Sequence, residues 1–212
     1  MRFFSFLVAT FLFCNSHAKS DVIIKNDHIL LTGKLDHKQQ LTDFKAALIA
    51  APEVKIITLE QCLGGTAGAA VSFAELVKDR KLATIAKGNV SSACAIVFMA
   101  GSQRRFSTDL GLSFLLFHAA RQLNSSSPAF SATGELAELL ASQTGKKLKP
   151  HIEKLISTSF DPNSGVVFLN ANYFFFKIRK TLYCDGSQGA NLSLCSPLDD
   201  ADVYENGILT KP

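Results

Sequence analysis

The sequence predicts an α/β fold, a layered domain built around parallel strands. Segments rich in β-branched residues alternate with segments whose apolar side chains recur at helical spacing. Residues 93–100, ACAIVFMA, are apolar on every side, which is typical of a helix buried between layers. Two glycine-bearing turns, at 62–68 and 88–94, each follow a strand and lead into a helix. This alternation favours parallel strands joined by helices.

The individual elements follow from local patterns. Leu41, Phe44 and Leu48 form an apolar stripe at spacings of three and four, which predicts an amphipathic helix. The predicted helices are 37–51, 69–81, 93–100, 135–142 and 150–157. The predicted strands are 27–35, 54–60 (ending at the turn QCLGGTAG), 82–88, 104–108, 111–118 and the β-like or aromatic segment 165–176. Residues 124–134 form a polar break, and the tail from Cys184 is rich in turn residues.

The N-terminus has the layout of a secretory signal peptide. Arg2 precedes an uncharged apolar run at 3–13, and Ser16-His17-Ala18 supplies a small-residue cleavage site. The apolar run has 11 residues, which are too few to span a bilayer of about 30 Å, so we do not expect an integral membrane protein. We therefore expect cleavage after Ala18 and a secreted or periplasmic protein. Residues 19–212 then form a single domain with a cysteine-containing C-terminal tail.

Composition argues against two classes of partner. Without residues 1–18 the chain has 21 basic and 18 acidic residues, a net charge of +3, and no long Lys/Arg run, so nucleic-acid binding is not indicated. No Cys-x-x-Cys or His-Glu-x-x-His motif occurs, so neither a metal nor an organic cofactor is expected. The four cysteines that remain suggest disulfides, with three ways of pairing them.

Two adjacent serines, Ser91 and Ser92, stand directly before the buried helix. A serine there either caps the helix, or acts as a nucleophile when a histidine accepts its proton. His118 ends a predicted strand 26 residues after Ser92, and the residues alone also allow a core histidine. One serine suffices as a cap, and Ser91 is the better candidate for it if Ser92 is the nucleophile.

The segments CLGGTAGAA, GNVSSACAIVFMAGSQRRF and LSFLLFH, in this order, resemble the proteolytic subunit of the Clp protease and its exported relatives in the crotonase-like superfamily. The resemblance covers about 29–118. It implies a layered ClpP/crotonase-like fold with repeated β-β-α units, a peptide or protein substrate, and a homo-oligomer. It further implies that Ser92 is the nucleophile, that His118 is the base, and that the N–H groups of Gly65 and Ala93 form the oxyanion hole.

The third member of a catalytic triad is less sharply marked. The resemblance points to Asp161 as the carboxylate that orients His118, although an Asp before Pro162 also suits the start of a turn. A Ser–His dyad without an acid is the alternative. Lys87 could instead serve as the base in a Ser–Lys arrangement, as in related signal peptide peptidases.

The cysteines suggest two pairings. Export and the turn-rich DGSQGANLSL segment predict a disulfide between Cys184 and Cys195. If the resemblance holds, the turns with Cys62 and Cys94 are neighbours, and these residues form either a second disulfide or two buried thiols.

The sequence thus predicts an exported serine hydrolase, a peptidase that uses Ser92, His118 and Asp161. The alternative is a non-catalytic scaffold or binding protein that kept the fold and lost turnover. The replacement of the family's Ser-Pro by Cys62-Leu63 before the glycine turn favours this alternative.

Overall fold

A computed structural model describes residues 21–35, 38–122, 127–161, 163–173, 177–189, 191–199 and 201–211. The predicted signal peptide, residues 1–18, lies outside the described residues. None of the described helices is both long enough and apolar enough to cross a membrane.

The elements form a mixed α/β structure. The strands are β1 Asp21–Ile24, β2 Ile29–Leu35, β3 Ile56–Gly65, β4 Ala83–Ser91, β5 Arg104–Phe106, β6 Gly111–Phe117, β7 Ser164–Asn172, β8 Lys177–Asp185 and β9 Ser196–Pro197. The helices are α1 Gln39–Ala50, α2 Ala67–Asp79, α3 Ala93–Met99, α4 Phe130–Gln143 and α5 Pro150–Thr158, with a short 3₁₀ turn at Leu192–Leu194.

The described strands form one nine-stranded sheet with the order β1-β2-β3-β4-β6-β7-β8-β9, and β5 pairs with β4 beside this path. β2, β3 and β4 are parallel, and β4 forks, pairing in parallel with β5 along its first half and with β6 along its last residues. The strands from β6 to β9 are antiparallel. The fold class expected from the alternation of strands and helices is therefore confirmed.

Parallel pairing decides where the functional segments meet. Because β2, β3, β4 and β6 run in the same direction, their carboxyl ends lie at one edge of the sheet, where ligand crevices form in α/β proteins. The register pairs Leu35 with Gly65 and Ser91 with Leu116. The glycine turn, the serine pair and the residue after β6, His118, therefore reach the same edge.

Helix α3 is the centre of the hydrophobic core. All seven of its residues are buried, as the uninterrupted apolar run predicted. It packs against α2, α4 and the strands β2, β3, β4 and β6. Each large side chain buried in this way contributes roughly 1.5–3 kcal/mol, so this short helix is held by tertiary packing.

Several elements differ from the sequence prediction. The strands β1 and β9 and the last residues of β4 were not predicted, and three further differences concern β3, α4 and β8. β3 does not end at Glu60: a bulge takes up Gln61, and the strand continues to Gly65 because β2 still offers a pairing partner. α4 begins at Phe130, inside the predicted polar break. β8 forms at Lys177–Asp185, where no strand was predicted. Its charged residues obscure the alternation of apolar and polar side chains, and pairing with β7 makes the segment a strand.

Arg104 fastens the C-terminal tail to the core. Its guanidinium donates to the backbone oxygens of Met99 and Gly101 at the end of α3, at 3.3 and 3.0 Å. It also donates to the oxygens of Gly207 and Ile208 in the tail, at 2.9 and 3.0 Å. Burial lowers the pKa of this guanidinium from its very high ordinary value, and the four carbonyl oxygens stabilise its charge.

Replacing Arg104 should destabilise the fold. Arg104→Gln removes a part-buried charge and leaves up to four carbonyl oxygens without donors, so we expect the free energy of unfolding to fall by about 3 kcal/mol or more. Denaturant unfolding followed by circular dichroism measures the change. Arg105→Gln is the matched control, because its side chain is exposed on the same strand. Equal stability of the two variants would contradict the proposed role of the Arg104 hydrogen bonds in holding the C-terminal tail.

Candidate active site

The candidate residues share one cavity of about 590 Å³ at the carboxyl edge of the parallel strands. Four of the five predicted residues line it, namely Gly65, Ser92, Ala93 and His118. Ile96, Phe117, Leu136, Leu140 and Ile156 supply much of its apolar wall. Such a cavity, apolar with a few convergent polar groups, is typical of sites for small molecules and peptide side chains.

Ser92 has a rare backbone conformation. Its φ is 55° and its ψ is −125°, values that cost a non-glycine residue of order 1–3 kcal/mol. Its N–H donates to the Leu116 oxygen at 2.9 Å, and its own oxygen accepts from the N–H of Ala95 at 2.9 Å. Its side chain makes no capping hydrogen bond. A strained serine at a sharp strand-to-helix turn is the arrangement that exposes the nucleophile in many hydrolases.

Ser91 does not cap the helix, so that prediction was wrong. It is the last residue of β4, pairs with Leu116 of β6 and is buried. The N-cap position belongs to Ser92, because the chain turns within that single residue. The two hydroxyls therefore have different surroundings, one inside the sheet and the other at the cavity.

The predicted oxyanion donors, Gly65 and Ala93, line the same cavity as Ser92. Ala93 is the first residue of α3, and a helix offers its first N–H groups no internal acceptor. Gly64 and Gly65 have φ values of 99° and 155°, which favour glycine. A Cβ added at Gly64 would lie 2.9 Å from the Cβ of Ser92, and one at Gly65 would collide with the Leu35 carbonyl oxygen. Gly64 thus allows the backbone of β3 to approach the serine closely, and Gly65 allows it to approach β2.

A disulfide joins the glycine turn to the helix. Cys62 and Cys94 are bonded, with 5.8 Å between their Cα atoms. The N–H of Gly64 donates to the Cys94 sulfur at 3.2 Å. Since Cys62 lies three residues before Gly65 and Cys94 directly follows Ala93, this bond holds the two predicted oxyanion donors at a fixed separation.

His118 is oriented by the main chain. Its Nδ1 lies 2.8 Å from the Ala119 carbonyl oxygen. Because a carbonyl can only accept, Nδ1 carries the proton, and in the neutral ring Nε2 is free to accept one. Burial, and to a smaller extent the nearby Arg121 charge, lower the pKa of His118, while its bond to Ala119 opposes the shift. The imidazole is therefore neutral at pH 7 and in the tautomer that a general base requires.

The loop after His118 is held by two neighbouring segments. The N–H of Ala119 donates to the Ser159 oxygen at 3.0 Å, and the N–H of Ala120 donates to the Thr133 hydroxyl at 3.0 Å. Sequence reasoning missed Ala119, because a backbone carbonyl has no residue-type signature, and Thr133, because a single threonine belongs to no motif. Lys34, Arg121 and Glu153, which also line the cavity, were missed because single charges carry no motif.

Asp161 forms no hydrogen bond or ion pair with His118. Its side chain is exposed and accepts the N–H of Asn163 at 2.8 Å, as in the turn that the following proline suggested. The same carboxylate packs against Gly186, where an added Cβ would lie 2.6 Å from it. In this structure the Ala119 oxygen is the hydrogen-bond partner of the His118 ring, and a role of Asp161 in orienting the ring stays a prediction.

Lys87 is unsuited to act as the base. Its ammonium group lies 3.0 Å from Asp109 and 3.2 Å from Glu60. The hydrogen bonds to Asp109 and then Glu60 raise the pKa of Lys87, so the group stays protonated. It is also absent from the lining of the cavity.

The predicted disulfide between Cys184 and Cys195 lies outside the candidate active site. Cys184 and Cys195 are bonded, with 4.6 Å between their Cα atoms, and this bond ties β8 to the tail away from the cavity. Within the described part of the chain, no group of three His, Cys, Asp or Glu side chains could hold a metal ion.

Comparisons with known proteins give likeness in structure alone. No protein-family model matches the sequence, and no curated protein matches it. A point mutant of ClpP1 from Listeria monocytogenes is 18% identical and matches with a TM-score of 0.48, over 63% of this chain and 78% of that chain. A point mutant of the 1510-N membrane-bound stomatin-specific protease is 14% identical, with a TM-score of 0.46, over 64% of this chain and 72% of that chain.

Proposed function

We propose that this chain is an exported serine hydrolase, a peptidase, in which Ser92 attacks a carbonyl carbon and His118 takes its proton. The observation that carries the proposal is the backbone of Ser92, strained at a strand-to-helix turn beside the cavity that His118 also lines. Strain of this kind persists where the surrounding structure enforces it, and it concentrates at active sites.

The proposed reaction has two steps. The Ser92 Oγ forms a bond with the carbonyl carbon while its proton moves to Nε2 of His118, and the N–H groups of Gly65 and Ala93 stabilise the oxyanion. Return of this proton to the leaving amine breaks the peptide bond and leaves an acyl group on Ser92. Water then adds to the acyl carbon while one of its protons moves to Nε2 of His118. Transfer of that proton to the Ser92 Oγ breaks the ester bond, releases the acid product and restores the serine.

The proposal is a Ser–His dyad in which the Ala119 carbonyl holds the ring. A carbonyl fixes the tautomer, but as a neutral dipole it stabilises the imidazolium less than a carboxylate would. We therefore expect slow turnover compared with a full triad.

Export is part of the same proposal. Two disulfides are typical of proteins that fold in oxidising compartments. The signal-like segment 1–18 supports the same location, and mass spectrometry of the secreted or periplasmic fraction tests whether the mature chain begins at Lys19.

A non-catalytic scaffold is the second candidate, and one observation favours it. Among the described residues, Ser92 Oγ and His118 form no hydrogen bond, although both line the cavity. Catalytic hydrogen bonds are often long without substrate and tighten when it binds, so activated-serine labelling decides between the two candidates.

Ser92 should be the residue that reacts with a fluorophosphonate probe. Ser92→Ala removes the attacking oxygen, so labelling and peptide or ester hydrolysis should vanish. His118→Ala should reduce both by at least about 10²-fold, because the hydroxyl then lacks its base. Gel fluorescence and mass spectrometry of the labelled peptide measure the outcome.

Two variants control this experiment. Ser91→Ala should keep labelling within about twofold, because Ser91 lies within the sheet. Asp161→Asn should do the same, because Asp161 forms no hydrogen bond with His118. Unlabelled wild-type protein with both disulfides intact would favour the scaffold. Loss of labelling in Asp161→Asn would instead support a Ser–His–Asp triad.

The labelling rate should rise with pH through the pKa of His118. The neutral imidazole is the base, and burial lowers the pKa of His118, so the half-maximal rate should lie below the ordinary value of about 6.5. Above that point the rate should be flat to about pH 8. Arg121→Gln removes a cationic contribution to the shift and should move the midpoint to higher pH. A wild-type midpoint above about 6.5 would contradict this assignment.

The Cys62–Cys94 disulfide should affect activity more than the Cys184–Cys195 disulfide. Replacing Cys62 and Cys94 by Ala frees the glycine turn from α3, and we expect a loss near that of one oxyanion donor, about 10²-fold. Replacing Cys184 and Cys195 should cost about 3 kcal/mol of stability and leave the rate within about twofold. Labelling rates of the two folded double variants make the comparison, and equal rates would contradict the role of the first disulfide.

A further inference from the structure

A second cavity, of about 520 Å³, lies at the other end of β4 from Ser92. Its walls come from the start of β4, from β5 and the residues after it, from the β7–β8 hairpin, and from residues 209–211 of the tail. The nine residues of β4 between the two cavities span about 30 Å. The second cavity is therefore separate from the candidate active site.

The charged residues that line this cavity are all cationic. They are Arg104, Arg105, Lys177, Arg179 and Lys211, and no carboxylate lines the cavity among the described residues. Within the same part of the chain, none of the five forms an ion pair. The guanidinium of Arg104 donates to backbone oxygens, which are neutral, so its positive charge is not neutralised.

The hairpin register brings two of these cations to one face. β7 and β8 pair Asn170 with Arg179 and Asn172 with Lys177, and residues two apart on a strand lie on the same face. The side chain of Asn172 donates to the oxygen of Ser107 at 2.9 Å, which joins the hairpin to the segment after β5. The cations of β5 and β8 are thus brought together by contacts between distant parts of the chain.

Arg179 is held in place before any ligand arrives. Its Nε donates to the Asn170 side-chain oxygen at 3.3 Å, and its guanidinium lies 5.3 Å from the ring centre of Tyr204. Among the described residues, this uses one of the five N–H donors that an arginine carries. The remaining donors form a planar fork, which suits two oxygens of one phosphate or carboxylate group.

Five cations around one cavity repel one another, and an anionic ligand would relieve that repulsion. The cavity volume is in the range of small-molecule sites. Its other lining groups include Phe106, Leu209 and the ring of Tyr204, which offer apolar contact beside the charges. Charge, volume and a preorganised arginine all favour a compact ligand with several negative charges.

We propose that this cavity binds a multiply charged oxyanion, a ligand with phosphate or carboxylate groups. The site does not depend on the chemistry of Ser92. Two probes distinguish a phosphate ligand from a carboxylate ligand: inorganic pyrophosphate and citrate. Each is titrated separately into the mature protein with both disulfides intact. Isothermal titration calorimetry in 150 mM salt measures affinity and stoichiometry.

The expected result is saturable binding of one molecule of at least one probe per chain. Arg179→Gln and Arg105→Gln should each weaken binding by about tenfold or more, as expected for loss of a charge-assisted contact. Lys180→Gln is the matched control, because Lys180 is exposed, neighbours Arg179 on β8 and is absent from the cavity lining. It removes the same charge and should change affinity by less than about twofold. Ser92→Ala should bind as the wild type does.

Each outcome of the titrations either identifies the class of ligand or overturns the proposal. Binding of pyrophosphate alone identifies a phosphate ligand, and binding of citrate alone a carboxylate ligand. The proposal is overturned if neither probe binds, or if Lys180→Gln weakens binding as much as the cavity variants, which would indicate attraction to net charge only. Should Arg179→Gln fail to fold, as judged by circular dichroism, the exposed Arg105→Gln and Lys180→Gln pair makes the same decision.

Discussion

The chain passes from β4 into a fully buried helix through one residue, Ser92, and the rest of the site depends on that reversal. β4 stays paired with β6 up to Ser91, and α3 begins at Ala93. The strained φ of Ser92 costs of order 1–3 kcal/mol, which burial of the large apolar side chains of α3 offsets. A gentler turn would need more residues, and it would withdraw either the strand or the helix from the core.

Both ends of α3 are fastened to other parts of the fold. Near its start, Cys94 is bonded to Cys62 of β3, and at its end Arg104 binds the oxygens of Met99 and Gly101. The first attachment fixes the glycine turn beside the serine. The second attaches the C-terminal tail and leaves a positive charge at the far cavity. One short helix thus connects the candidate active site with the cationic cavity.

Much of the architecture follows from local patterns. The apolar stripe of α1, the uninterrupted apolar run of α3 and the strand ending before His118 all appear where periodicity predicts them. Among the boundaries that differ, those of β3 and β8 are set by strand pairing. β3 extends past Glu60 because β2 is there to pair with it, and β8 forms on β7 although its own sequence is rich in charges.

Residue type and order along the chain were enough to predict Gly65, Ser92 and His118 as site residues, and the fold brings all three to one cavity. A predicted nucleophile, base or glycine turn each needs particular side chains or the lack of one. The same information could not find the partner of His118. A backbone carbonyl is the same in every residue, and its position depends on how the loop after β6 packs on α4 and on the end of α5. Asp161 was the nearest suitable carboxylate in sequence, yet packing turns it towards Gly186. The cationic cavity likewise arises from segments about 70 residues apart, which only sheet register and the clamp of Arg104 bring together.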